Sequence, residues 1–304
     1  MSNGLSSSTR RLIKGAAVLM PDEWYLTLSH RRSIGRFPQM KRPTTFNEII
    51  LTRCLRPDPR WTTLTDKLSV RQYVMERIGE QYLIPLLAAP DVFTKEVFDS
   101  LPSSFVMKAS HGSGFVEVVR DKSKRSFEEL RRLADRWLRV NYYRVGRERH
   151  YRGIPPRILF EALLLDRSGN VPADYEMNMF GYGPHGPVIY TGVVSSRFDG
   201  RGKPLADMYD AEWNRLDVAR GTYGRSERGV ARPSNWDELS RIAIRLAEGL
   251  GYVRVDLYVL DEQIFFGELT FTPGGGTMPY IPDHCDYEWG RILKGANYYC
   301  AAPV

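Results

Sequence analysis

Asp256 and Glu268 stand on two apolar runs, 252–260 and 264–271, joined by Asp261, Glu262 and Gln263. Side chains on a strand alternate faces with period two. A hairpin with a three-residue loop therefore sets Leu260 against Ile264 and Asp256 directly against Glu268. Opposed Cβ atoms lie roughly 4.5–5.5 Å apart, and like charges there repel. A cation between them removes the repulsion. Carboxylates around Mg²⁺, shared with substrate phosphates, are the usual arrangement. In this register Val253, Val255, Leu257, Val259, Phe265, Leu269 and Phe271 share an apolar face. Arg254, Asp256, Tyr258, Ile264, Phe266, Glu268 and Thr270 share the other, apolar near the turn and charged at its open end. A solvated outer face is the competing reading, and Tyr258, Ile264 and Phe266 weigh against it.

A second candidate is Ser110-His111-Gly112-Ser113-Gly114, which joins the strand-like runs 105–108 and 115–119. The glycine turns of Rossmann and P-loop proteins open a helix instead. A glycine hairpin lets backbone N–H groups approach phosphates unobstructed, and Lys108 just upstream supplies a point charge. Protein kinases also use such a hairpin, but a His-Arg-Asp loop and an Asp-Phe-Gly are missing. An Asp-x-Asp for a sugar-nucleotide metal is missing too. Glu161 lies in an apolar run, where an unpaired carboxylate is costly. More ordinary readings compete. Lys67 and Arg71 fit a solvated helix face, Arg254 fits a counter-ion of Asp256, and His111 fits a plain loop residue.

Around these residues the pattern predicts helices over 22–28, 46–55 and 66–80. It predicts an edge strand or extended segment over 82–87, held to the edge by Pro85. Ser126 with Glu129 forms a capping box for a helix to about Tyr143. Strands follow over 157–165, 175–180 and 187–195. The glycine-rich, charged stretch 199–232 reads mostly as loop. Asn235 with Glu238 starts a helix to Leu250 that Gly249 and Gly251 stop. This order is α+β with antiparallel sheet, not βαβ alternation.

The bulk numbers exclude several classes. The 304 residues suffice for two domains or a two-lobed unit. Hydrophobic content of 42% and charged content of 26% are those of a globular chain. No apolar run approaches the ~18 residues of a spanning helix. The run 12–20 contains Lys14 and lacks a cleavage site, so it does not read as a signal peptide. Residues 1–9 are serine-rich and expected to be disordered. Cys54, Cys285 and Cys300 have no metal spacing, and a reducing cytoplasm fits them. The net charge of +7 favours anionic partners. Much of it lies at 131–152, which reads first as an exposed helix face with its loop, and second as a dock for a polyanion.

Together these pieces resemble the ATP-grasp superfamily. Phe105-Val-Met-Lys-Ala-Ser-His-Gly-Ser-Gly resembles its phosphate strand and loop, and Ile158-Leu-Phe-Glu-Ala-Leu-Leu its adenine hinge. Val253-Arg-Val-Asp with Gly267-Glu-Leu-Thr-Phe-Thr-Pro-Gly-Gly-Gly resembles its metal hairpin. More narrowly, the chain from about Asp66 to Pro282 resembles the TupA-like ATP-grasp proteins of bacterial polysaccharide gene clusters. Asp-Lys-x-x-Val-Arg-x-Tyr-Val, Phe-Asp-Ser-Leu-Pro and Tyr-Asp-x-x-Trp-Asn add to that match.

The resemblance implies two α+β lobes with antiparallel sheets holding ATP between them. It divides the chain into a basic, helical extension (1–65), a small lobe with the glycine loop (66–165) and a large lobe with the metal hairpin (166–304). Lys67, Lys108, Gly112, Ser113, Gly114, Glu161, Leu163 and Arg197 are then the expected nucleotide residues. Asp256, Glu268 and Thr270 are the expected Mg²⁺ ligands. Arg254 is expected to hold the acyl group, with Gly275 and Gly276 as backbone donors beside it. Thr270 stands in place of the common ATP-grasp Asn, and Glu176 stands where relatives carry Lys. The implied activity is ATP-dependent ligation of a carboxylate to an amine through an acylphosphate, with a sugar acid and an amino acid of a cell-surface polysaccharide as expected substrates. An anionic glycan or sugar nucleotide, and peripheral contact with membrane biosynthetic machinery, are expected partners; specific nucleic acid is not. A sugar kinase and a non-catalytic, nucleotide-responsive glycan-binding subunit are the alternatives.

Overall fold

The computed structural model describes residues 19–196 and 203–295. Arg197, Cys300 and the serine-rich residues 1–9 lie outside the described residues.

The hairpin is present but built differently. β10 (Val253–Leu260) and β11 (Gln263–Thr270) pair antiparallel, with Leu260 facing Gln263 rather than Ile264. The turn is Asp261-Glu262 alone, with φ of 47° and 68°. Such two-residue turns match the twist of their strands. Continued unbroken, this register would face Asp256 with Gly267. A β-bulge beyond Leu257 restores the pairing Asp256↔Glu268 and Arg254↔Thr270. The shorter turn and the bulge cancel, so the two carboxylates still face each other. Between turn and bulge the side chains exchange faces. Ile264 and Phe266 join Val255, Leu257 and Leu269 in the core, while Phe265 opposes Tyr258. That corrects the expected outward placement of Ile264 and Phe266. At the bulge, a Cβ on Gly267 would stand 2.9 Å from the Asp256 carbonyl oxygen, so a side chain there pushes the strands apart.

The hairpin forms one edge of a six-stranded sheet of order β11-β10-β5-β6-β7-β8. Here β5 is Asp174–Gly183, β6 Gly186–Ser195, β7 Leu205–Tyr209 and β8 Arg215–Leu216. All neighbours in it are antiparallel. The helix Trp236–Ala247 packs Leu239, Ile242, Ala243 and Leu246 against this sheet. Asn235 does not cap that helix with its side chain; its amide donates to the Glu262 carbonyl at 2.6 Å, tying the helix start to the hairpin turn. The stretch read as loop also contains β9 (Ala219–Arg220), paired with β12 (Tyr280–Ile281).

A second sheet has order β1-β4-β2-β3, with β1 Leu86–Ala88, β2 Phe105–Ala109, β3 Val116–Val119 and β4 Ile158–Glu161. The capping box of Ser126 and Glu129 is present, but its helix ends at Leu138, short of Tyr143. β4 stops at Glu161, and the chain continues without strand structure through Leu165. Of the predicted helix over 66–80 only Val70–Arg77 is helical, and a separate short helix, Arg60–Thr65, precedes it. Asp66 lies between them and accepts hydrogen bonds from the Leu68 N–H and the Ser69 hydroxyl.

The helix Phe46–Leu55 carries its own capping box and buries Phe46 among Phe180, Tyr252, Tyr280 and Trp289. Trp61 stacks on Phe271 with ring centroids 4.8 Å apart. The N-terminal region is therefore part of the six-stranded sheet's core. In the basic stretch 131–152, Arg131, Arg147, Arg149 and Arg152 are tied to carboxylates. Buried Asp22, on the helix Asp22–Ile34, accepts from Tyr143 at 2.5 Å, Arg149 at 2.9 Å and Arg152 at 3.0 Å. Arg131 pairs with Asp135. Arg132, Arg136, Arg139 and Arg144 stay exposed, as the ordinary reading has it.

Burial works to raise the Asp22 pKa, but the hydrogen bonds of Tyr143 and Arg149 and the nearby arginines outweigh it and hold it below its ordinary value. Such a group stabilises the fold above its unfolded pKa and loses that contribution as pH falls through its folded value. Asp22→Asn is expected to flatten the acid limb of the stability profile below about pH 4. Urea unfolding across pH checks this, and an unchanged limb refutes it.

Candidate active site

Three adjacent strands place three carboxylates in one row. Asp256 on β10 faces Glu268 on β11 and Glu176 on β5. Their mutual repulsion is met by three cations. Arg254, two residues along β10, clasps Asp256 with Nε at 2.7 Å and a terminal nitrogen at 2.6 Å. It also lies 3.4 Å from Glu176 and 3.7 Å from Glu268. Arg220 on β9 binds Glu176 directly. Lys67 reaches Glu268 at 3.6 Å. Thr270 donates to Glu268 at 3.1 Å. Arg254 thus neutralises Asp256, as the plainer reading of its position has it. Burial pushes the Asp256 carboxyl up to about 7, against the pull of Arg254 and with the help of Glu176 and Glu268.

The glycine loop lies opposite. β2 and β3 pair on either side of it, so it is a hairpin loop. Lys67 donates to the Gly112 carbonyl at 2.8 Å and so bridges this loop to Glu268. Its position between two helices, largely buried, replaces the solvated helix face. A Cβ on Gly112 would lie 2.6 Å from the rings of Phe115 and Tyr142, so this glycine serves packing. Gly114, at φ 78°, has open space around it. Lys108 on β2 meets Glu161 on β4 at 2.6 Å, and Arg71 approaches the other Glu161 oxygen at 3.5 Å. The buried carboxylate of Glu161 is therefore doubly paired.

Two cavities open here. One, about 380 Å³, has Lys67, Lys108, Gly114, Glu161 and Asp256 as polar wall and Ile84, Val106, Val118, Leu163 and Leu164 as apolar wall. The other, about 420 Å³, is lined by Tyr25, Tyr142, Tyr151, Glu148, Arg220, Arg254 and Gly275 among others. Ser113, Tyr223 and Glu268 line both, so the cavities meet at the acidic row.

The Pro273–Gly276 turn borders the second cavity. Gly274 and Gly275 line it, but the Gly275 N–H donates to the Thr272 carbonyl at 2.9 Å within the turn. Gly276 is buried instead: a Cβ there would stand 2.6 Å from the Asn47 carbonyl oxygen. Its own carbonyl pairs with buried His30 at 2.9 Å. The Gly275 N–H is thus engaged within the turn and Gly276 does not line the cavity, while Lys67, Lys108, Ser113, Gly114, Glu161, Leu163, Arg254, Asp256, Glu268 and Thr270 border one cavity or the other. Two site residues escaped the sequence reading. Arg220 lay in an apparent loop, and Glu148 lay hidden among arginines.

The family model of TupA-like ATP-grasp proteins matches residues 49–294. The chain belongs to this family. Its fold is the α+β ATP-grasp fold. The TupA-like chain also shows a distant likeness to solved structures. D-alanine–D-alanine ligase from Bacillus anthracis matches at 14% identity and TM-score 0.44, over 76% of this chain and 66% of that one. The Helicobacter pylori enzyme matches at 12% and 0.40, over 77% and 58%. Phosphoribosylamine–glycine ligase from Thermotoga maritima matches at 12% and 0.42, over 80% and 57%. The chain thus spans under two thirds of these proteins. No curated protein matches it.

Glu176 is 2% exposed and holds buried Arg220 as well as Arg254. Removing one partner of a buried pair leaves the other charge uncompensated. Glu176→Gln is expected to cost about 3 kcal/mol of unfolding free energy. A loss within about 0.5 kcal/mol in urea titration contradicts that.

Proposed function

We propose that this protein is an ATP-dependent ligase joining a carboxylate to an amine through an acylphosphate. The observation that supports it is the pair of cavities meeting at Glu268: a half-apolar slot with two lysines beside a polar chamber with arginines and an acid. A phosphoryl group passing from one bound molecule to another needs such adjoining sites. ATP belongs in the first cavity, its base against Val106, Val118 and Leu163 and its phosphates toward Lys108, Lys67 and the glycine loop. Lys108 and Lys67 would exchange Glu161 and the Gly112 carbonyl for phosphate oxygens. The carboxylate substrate belongs beside Arg254.

Among the described residues no group of three or more His, Cys, Asp and Glu could hold a metal ion. Asp256 and Glu268, with Thr270, nevertheless suit a hard cation that takes its remaining ligands from phosphates. The raised Asp256 carboxyl fits that reading, since a divalent cation favours its charged form. Mg²⁺ bound there would neutralise charge on the transferring phosphoryl group. In the family setting, a sugar acid and an amino acid of a cell-surface polysaccharide are the proposed substrates, with an anionic glycan or sugar nucleotide as a further partner. Division into an extension, small lobe and large lobe at residues 65 and 165 belongs to the same proposal, as do a cytoplasmic location and peripheral contact with membrane machinery. No described helix is long and apolar enough to cross a membrane.

The test is ADP release on pairing sugar acids with amino acids, with the products identified. An amide with ADP is expected, and Asp256→Asn should lower turnover about 100-fold or more. A stable phosphorylated product instead makes the protein a kinase. Tight ATP binding without turnover of any pair makes it a binding subunit. Lys108→Ala should weaken ATP binding roughly 10-fold, or ~1.4 kcal/mol, in calorimetric titration; unchanged affinity removes Lys108 from the nucleotide site.

A further inference from the structure

Glu148 is 9% exposed and lines the polar cavity. Among the described residues it forms no ion pair, and its side chain accepts a hydrogen bond only from Thr272. A buried carboxylate with so little compensation is expensive unless something cationic arrives. It contrasts with Glu161, Glu176 and Asp256, each of which already faces an arginine. The walls beside it are aromatic. Tyr25, Tyr142 and Tyr151 line the same cavity, and the Tyr142 and Tyr151 rings meet edge-on with centroids 4.6 Å apart. A carboxylate among aromatic rings is the chemistry that recognises an ammonium group. Arg254 and Arg220 line the same cavity, so it offers anion-binding and cation-binding groups together.

We infer that Glu148 binds the ammonium group of a primary-amine substrate and takes the proton that frees its nitrogen for attack. This deepens the ligase reading above and rests on it. The substrate R–NH₃⁺ gives one proton to the Glu148 carboxylate. The freed lone pair forms the C–N bond at the acyl carbon, and the bond from that carbon to the phosphate oxygen breaks. Phosphate leaves with that electron pair and accepts the second nitrogen proton, which leaves an amide. Glu148 then returns its proton to water. The groups around Glu148 suit a proton acceptor. Burial first, and Glu268 as a further charge, raise its carboxyl to about 7, with the Thr272 hydroxyl opposing them. Cys54, Tyr142 and Tyr151 complete its titratable surroundings, each interacting with its charge.

The experiment separates the half-reactions in the full-length protein. Sugar acids are supplied with ATP, Mg²⁺ and hydroxylamine, which is uncharged at neutral pH and traps an acylphosphate without deprotonation. Amino acids and amino sugars replace hydroxylamine in parallel. In Glu148→Gln, amide formation is expected to fall about 100-fold, with a higher KM for the amine. Hydroxamate formation should fall less than about 5-fold, since its nucleophile needs no base. Glu148→Asp should recover part of the amide rate. Equal losses in both assays, or none in either, overturn the role of Glu148. Wild-type protein that makes no hydroxamate from any acid overturns the ligase reading instead.

Discussion

Everything at the centre of this molecule depends on the repulsion between carboxylates in one row across β5, β10 and β11. Glu176, Asp256 and Glu268 are held at sheet spacing by the backbone ladder, so they cannot separate. The fold answers with cations drawn from three distant parts of the sequence: Arg254 on the same strand, Arg220 on a two-residue strand, and Lys67 from a turn between helices. Arg254 is enclosed on several sides, which makes it a framework for the row. The four-stranded sheet follows the same logic at Glu161, whose charge is shared by Lys108 and Arg71.

Lys67 has a particular place in this scheme. It touches the glycine loop of the four-stranded sheet through the Gly112 carbonyl and the six-stranded sheet through Glu268. A single ammonium therefore joins the two walls of the cleft. In the proposed function phosphate would compete for both of those contacts.

Much of this was legible from the order of residues. The Asp256–Glu268 opposition, the hairpin character of the glycine loop, the capping box of Ser126 and Glu129 and the α+β class follow from period and turn chemistry alone. The start of the helix Val70–Arg77 at Val70 rather than Asp66 did not, because a side-chain acceptor that closes one helix also suits the start of the next. The early end of β4 was hidden because Leu163 and Leu164 are apolar for a cavity, and a sequence does not distinguish a cavity from a core. Arg220 gave no signal, since a two-residue strand has no period. Glu148 was obscured by neighbouring arginines that turn toward Asp22 instead. Gly276 makes a close contact between its turn and the helix Phe46–Leu55, which its letter alone does not show. The glycine letters carry freedom of backbone but do not say whether it serves a ligand or a neighbour.

The hairpin has one more consequence. Its two-residue turn and its bulge at Gly267 are equal and opposite offsets, one residue each, between the same two strands. They behave like a pair of compensating frameshifts. A lineage that lengthens the turn alone would rotate Ile264 and Phe266 out of the core, and one that straightens the bulge alone would present Gly267 to Asp256 and turn Glu268 inward. A one-residue shift of register at the turn therefore keeps Asp256 opposite Glu268 only if the bulge changes with it.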